Sequence, residues 1–282
     1  FSGASSKELR GVGNFSFSTS NTIIGVAKIG ALPAAIGGVF SSTKVPSIPE
    51  DSPGPGIITY SGTYVIDGNG CAGNQASSSL PSIVTGMYTS NTSTANSLLY
   101  LNGSVYNNAS SCVINGTSIT NFEIGGRTLY SVTVGDFDSR IFKGDIAEVV
   151  YYNRGILAQE RNQVQSYLAI KYGLHLDPTA VPNYLASDGS VLWGGVSNTG
   201  YTSAIVGVGR DDNSGLLQYQ TRSSTGLDIL TLGLGTITTT NASNIASNPG
   251  LLAADKTFLM VGSNGALTSA LTTTDLPTNP GT

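Results

Sequence analysis

From residue 14 to 153, apolar residues recur at alternate positions or in short runs: "NFSFS", "NTIIGVAKI", "GGVFSST", "GIITYSG", "TYVID", "SIVTGMYT", "NSLLYLNGSVYN", "GRTLYSVTVG" and "DIAEVVYYN". Asn-Gly, Asp-Gly and Gly-Gly pairs punctuate them, so the pattern predicts antiparallel strands joined by tight turns. Strands in such number each bury a face only by closing into a sandwich or barrel.

The period changes once, in "FKGDIAEVVYYNRGILAQERNQVQSYLAIKYGLHL". Leu157, Val164, Tyr167, Leu168 and Lys171 fall on one face at helical spacing, and Gly173 stands where a left-handed C-cap is expected. This predicts one amphipathic helix over 157–172. Its start reads as poorly capped, because Ala158 stands where Ser, Thr or Asp would satisfy the first free N–H groups. After "HLDPTAVPN" short strands return: "YLASDGSVLW", "YTSAIVGVGRDD", "SGLLQYQTRS", "LDILTLGLGTITTT" and "KTFLMVGSNGALT". The prolines and the restart mark a boundary. Two modules are expected, 1–177 ending in the helix and 178–282, the second cut short.

Composition supports an all-β class: 36 glycines, 13 tyrosines and only 11% charged residues, with 39% hydrophobic content to build a core. The net charge of −4 comes with scattered Lys and Arg, which offer a nucleic-acid backbone no electrostatic footprint. No apolar run reaches the roughly 20 residues of a membrane-spanning helix, so membrane insertion is not expected. Few charges and many hydroxyl and amide side chains suggest an exported, extracellular or cell-surface protein. In an oxidising compartment Cys71 and Cys112 would close a loop of about 40 residues, worth about 3–4 kcal/mol; the alternative is two unrelated buried thiols. The opening "FSGASSKELRG" has neither signal peptide nor initiator Met, and the chain reads as a piece of something longer.

"LLYLNGSVYN", "FEIGGR" and "FKGDIAEVVYYNRGILAQERNQVQSYLAIKYGL" resemble the last strands and terminal helix of laminin-G or concanavalin-A-like jelly rolls in large surface proteins of Bacteroidota. The resemblance implies that "GDIAEVVYYNR" closes a sandwich and that the helix covers an edge or face of it. "NYLASDGSVLW", "AIVGVGRDDNSGLLQYQTRS" and "FLMVGSNGAL" are similar to a companion β-domain that follows such jelly rolls in type IX-secreted adhesins. Family members usually begin several strands earlier, so the sandwich is expected to be incomplete at its N-terminus.

Fold alone does not settle function, because such sandwiches host glycanases and lectins alike. A retaining glucanase needs two carboxylates about 5 Å apart, commonly from an E-x-D-x-x-E strand, and this motif is absent. Asp145 and Glu148, at odd spacing on a strand, are expected on opposite faces; Asp136 and Asp138 share a face within a turn-rich stretch. His175, the one histidine, follows the helix end, where a cation or packed ring suits it better than a triad. One His and two Cys make no usual zinc site. The glycines of "GVGR" and "TLGLG" lack a following helix and belong in bulges or tightly packed strands. Calcium is the cofactor candidate that jelly rolls of this type suggest, with Asp67 and Asn69 in one loop and Asp211 and Asp212 in another; Asx turns, or pairing of Asp211 and Asp212 with Arg210 or Arg222, are the structural alternatives. Sequons stand at Asn14, Asn91, Asn102, Asn108, Asn115 and Asn241.

The expected function is a non-catalytic segment of a secreted or cell-surface adhesin whose partner is a glycan or protein, joined by neighbouring modules of the same giant protein or its export machinery. Competing readings are a structural stalk or filament subunit, and a glycoside hydrolase. Tyr60, Tyr64, Tyr88, Tyr106 and Trp193 are the aromatics available to stack on a sugar, and each is equally a core candidate.

Overall fold

The computed structural model describes residues 9–16, 20–30, 36–43, 54–67, 75–76, 78–88, 97–106, 118–127, 140–224 and 229–266. The chain is mostly antiparallel β-structure and divides into two compact units, 1–168 with 179–181, and 169–178 with 182–282. The division lies within the helix, one turn before the end that the sequence pattern suggested.

In the first unit two sheets face one another. One contains β1 (Leu9–Ser16), β3 (Ile36–Thr43), β4 (Gly56–Tyr60), β5 (Thr63–Asp67), β6 (Gln75–Ala76) and β10 (Ser118–Ile124), in the order β1-β10-β3-β4-β5-β6. The other contains β2 (Asn21–Ile29), β7 (Ser82–Tyr88), β8 (Leu98–Leu101), β9 (Ser104–Tyr106) and β11 (Gly144–Tyr152), in the order β11-β2-β7-β8-β9. Ile23, Ala27, Val84 and Leu99 from the second sheet meet Phe40, Ile57, Tyr64 and Ile66 from the first in a single core. Alternation along each strand, inherited from the pleat, selects these residues.

β2 departs from alternation because almost all of it is buried. The second cover is α1 (Ala158–Tyr172), which lies on the face of this sheet away from the core. There Gln165 donates to the Thr85 hydroxyl at 3.1 Å, Tyr167 to Glu148 at 3.4 Å, and the Arg161 guanidinium sits 4.2 Å above the Tyr100 ring. The helix thus covers a face, one of the two roles that the resemblance implied.

Three sequence expectations are corrected here. A bulge between Ile146 and Glu148 shifts the register of β11, so that Asp145 opposes Lys28 and Glu148 opposes Val26. Lys28 and Val26 lie on one face of β2, so Asp145 and Glu148 share a face after all; an inserted residue reverses the parity of the strand. The helix start is also better capped than Ala158 suggested. Glu160 reaches back to accept from the Leu157 N–H at 2.7 Å and is forked by Arg154 at 2.8 and 2.6 Å, half of a capping box supplied from the third position. The Arg154 bonds first, then the Leu157 N–H, hold the Glu160 carboxyl down to about 2. Finally, Leu157 is exposed, and the buried stripe of α1 runs instead through Gln165, Ser166 and Leu168 to Ile170.

Gly173 ends the helix as expected. Its φ is +63° and Leu174 N–H donates to Ala169 C=O at 2.9 Å, a Schellman closure.

The second unit comprises β12 (Asn183–Leu185) paired with β13 (Val191–Gly194), β14 (Ser203–Asp211) between β15 (Leu216–Gln218) and β18 (Thr257–Ser263), and β16 (Gln220–Ser224) paired with β17 (Ile229–Gly233). β17 stops at Gly233, short of the strand expected through "GTITTT", and a second helix, α2 (Asn241–Ser247), follows that stretch. Thr240 caps it, its hydroxyl accepting from Ser243 N–H at 3.1 Å. The glycines of "GVGR" do lie in a tightly packed strand: a Cβ on Gly209 would fall 2.2 Å from the Phe258 ring, and one on Gly207 2.2 Å from the Met260 sulfur.

Candidate functional site

Of the calcium candidates in the first unit, Asp67 ends β5 and is buried. Its carboxylate accepts from Arg127 Nε at 2.8 Å, and that guanidinium is itself only 11% exposed. Beside it Tyr88 ties the sheets together. From β7 its hydroxyl accepts the Gly56 N–H at 2.7 Å and lies against the carbonyls of Gly56 and Asp67, 2.8 Å from the latter. Burial, above all, pushes the Tyr88 phenol well above its usual range, so it remains a neutral donor and acceptor. Asn69, the proposed co-ligand, lies outside the described residues.

Asp211 and Asp212, adjacent at the end of β14, turn to different partners. Asp211 is buried and accepts from Lys256 Nζ and Ser187 Oγ, both at 2.6 Å, from Ser187 N–H at 2.8 Å and from Ser214 N–H at 3.3 Å. Asp212 is forked by Arg210 at 2.7 and 3.1 Å, and its N–H donates to Asp255 at 2.8 Å. The two carboxylates therefore do not converge as a calcium loop would require; the Lys256 ammonium supplies the positive charge at Asp211. Among the described residues no group of three His, Cys, Asp or Glu side chains is placed to hold a metal ion.

The electrostatics of this cluster follow from its donors. Burial opposes ionisation of Asp211, but the Lys256 and Ser187 bonds outweigh it and hold the carboxyl at about 2. Burial likewise opposes the charge on Lys256, and Asp211 and Asp255 keep its pKa raised. A lysine so held stays protonated at neutral pH, and Ser187 spends its proton on the carboxylate, so the trio is an ion-paired strut and not an activated nucleophile.

The aromatic candidates separate by burial. Tyr64 and Tyr88 are core; Tyr60 and Tyr106 are 49% and 40% exposed; Trp193 is partly buried, its ring edge against Gly262. His175 is half-buried, two residues beyond Gly173. Asn102 and Asn241, two of the sequon asparagines, have committed carboxamides: Asn102 accepts from Ile83 N–H at 2.8 Å, and Asn241 accepts from Tyr219 and Gln220 N–H at 2.7 and 3.2 Å while donating to Leu217 C=O. Asp136, Asp138, Cys71 and Cys112 lie outside the described residues, and so does the disulfide expectation.

Sequence reasoning found Asp67 and Asp211 but not Arg127, Lys256 or Ser187. These partners come from 60, 45 and 24 positions away, and nothing local signals them.

Residues 160–281 match a family described as a domain of unknown function, DUF8202. No curated protein matches the chain. Among solved structures the chain is similar to the Trypanosoma rangeli sialidase in complex with 2,3-difluorosialic acid, at 16% identity and TM-score 0.37, over 53% of this chain and 26% of that one. It is similar to the NanB sialidase from Streptococcus pneumoniae at 14% identity and TM-score 0.36, over 54% and 27% of the two chains. It is also similar to the heptameric SAP-like pentraxin from Limulus polyphemus, at 15% identity and TM-score 0.41, over 59% and 80%. The chain thus spans about a quarter of the length of the sialidases it matches.

Proposed function

We propose that the chain is a non-catalytic binding segment of a secreted or cell-surface adhesin, with a surface glycan or protein as its ligand. The observation supporting this reading is the use made of Asp67 and Asp211. Each buried carboxylate is neutralised by one basic side chain and holds a strand end, which is a rigidifying task. On this reading recognition falls to the loops and exposed strand ends that the sandwich presents, Tyr60 and Tyr106 among them. Binding of the 282-residue chain to an array of surface glycans and matrix proteins, with and without chelator, tests the reading. Selective retention of a ligand supports it, and silence from folded protein removes it.

One feature favours the structural-subunit alternative. β18 is an edge strand among the described residues, hydrogen-bonded to β14 on one side, and such an edge is a template for strand addition. Concentration-dependent assembly, followed by light scattering, would favour a stalk or filament; a monomer at all concentrations would argue against it.

A further inference from the structure

The chain contains four Asn-Gly pairs, beginning at Asn69, Asn102, Asn115 and Asn264. Such a pair can rearrange because glycine, lacking Cβ, lets its own nitrogen approach the preceding carboxamide. Whether it does so depends on the fold, and the two described pairs differ.

Asn102 sits in the β8–β9 turn with φ +50° and is half-buried. Ile83 grips it twice: its N–H donates to the Asn102 carboxamide oxygen and its C=O accepts from the Asn102 N–H, both at 2.8 Å. The following Gly103 is crowded, since a Cβ there would fall 2.2 Å from Val181. Turning the carboxamide onto the Gly103 nitrogen would break a cross-strand bond in packed surroundings. Asn264, just past β18, is exposed, and its carboxamide oxygen makes a local Asx-turn bond from Ala266 N–H at 3.0 Å. Gly265, with φ +72°, donates its N–H to the Ser263 hydroxyl at 3.0 Å and meets nothing nearer its missing Cβ than the Ser203 side chain at 3.5 Å. That Asx-turn bond is local and exposed, so the carboxamide can turn onto the next peptide nitrogen without breaking a cross-strand contact.

We propose that Asn264 is a site of spontaneous deamidation and that the fold protects Asn102 from the same reaction. The Gly265 backbone nitrogen gives up its proton and bonds to Asn264 Cγ; the bond from Cγ to the side-chain nitrogen breaks, and ammonia leaves with that proton. The cyclic imide then takes up water and opens to aspartate or isoaspartate, with no change of oxidation state. The product places a new negative charge, and in the isoaspartate form an extra backbone carbon, at the exit of β18. This modification is independent of the proposed binding function.

The test is peptide mapping by mass spectrometry after ageing the folded chain at mildly alkaline pH, beside a sample aged in denaturant. The expected result is amide-to-acid conversion at least about tenfold faster at Asn264 than at Asn102 in the folded chain, with the two rates within about twofold in denaturant. Asn264→Gln should abolish the conversion in its own peptide. Equal rates at both sites in the folded chain, an unchanged Asn264, or conversion persisting in that peptide of the Asn264→Gln variant would each overturn the proposal.

Discussion

The Tyr88 hydroxyl accepts the Gly56 backbone N–H at 2.7 Å, a bond from β7 in one sheet of the sandwich to β4 in the other. Both groups are buried, so neither has water to fall back on. Tyr88→Phe should lower the stability of the first unit by about 1–3 kcal/mol. Tyr60→Phe, at an exposed ring, should change it by less than about 0.5 kcal/mol. Hydrogen exchange of the β7 amides against urea reads both; equal effects would mean that the tie carries no weight.

Asp211 gives a pH signature. Its folded pKa of about 2 lies below the ordinary 3.8, so the folded state binds its proton less readily than the unfolded chain. The associated stability, about 2 kcal/mol, is complete above pH ~4 and is lost as pH falls toward ~2. Lys256→Met leaves a buried carboxylate without its counter-charge and should cost about 2–3 kcal/mol at neutral pH. That penalty should shrink as acid protonates Asp211. A penalty that stays constant from neutral pH to pH ~2 would show that Lys256 acts through packing.

Gly209 and Phe258 form a steric pair across β14 and β18. Gly209→Ala should destabilise the second unit by about 1–3 kcal/mol, because the new methyl would overlap the ring. The same substitution in a Phe258→Ala background should cost less. Additive losses in the double-mutant cycle would rule out the overlap as cause.

Gly173 and Gly215 both have positive φ, +63° and +67°, but a Cβ on Gly173 would fall 1.9 Å from the Arg222 carbonyl oxygen whereas Gly215 has nothing within 4 Å. Gly215→Ala should cost only the backbone strain, about 1 kcal/mol, and Gly173→Ala clearly more. Thermal unfolding of the two variants separates the dihedral from the steric component.

The fold was legible where period and turn chemistry are local. Asn102-Gly103 formed the turn between β8 and β9, and Gly173 ended α1 in the left-handed conformation the sequence suggested. What failed was context. The bulge after Ile146 depends on register against β2, α2 depends on Thr240 and on Asn241 bonding to the chain near Tyr219, and the helix start depends on Glu160 reaching back to the Leu157 N–H. Candidate carboxylates could be picked by type, but whether Asp211 and Asp212 converge was decided by Lys256 and Arg210, and one of those lies 45 positions away from its partner.

The proposed role is ligand binding without chemistry. The most direct measurement is to hold the folded chain with each glycan it retains on an array and then analyse the recovered glycan by mass spectrometry. Selective retention and an intact ligand are expected. Cleaved product that disappears on substitution of Asp145 or Glu148, the two acidic residues that share a face of β11, would contradict it.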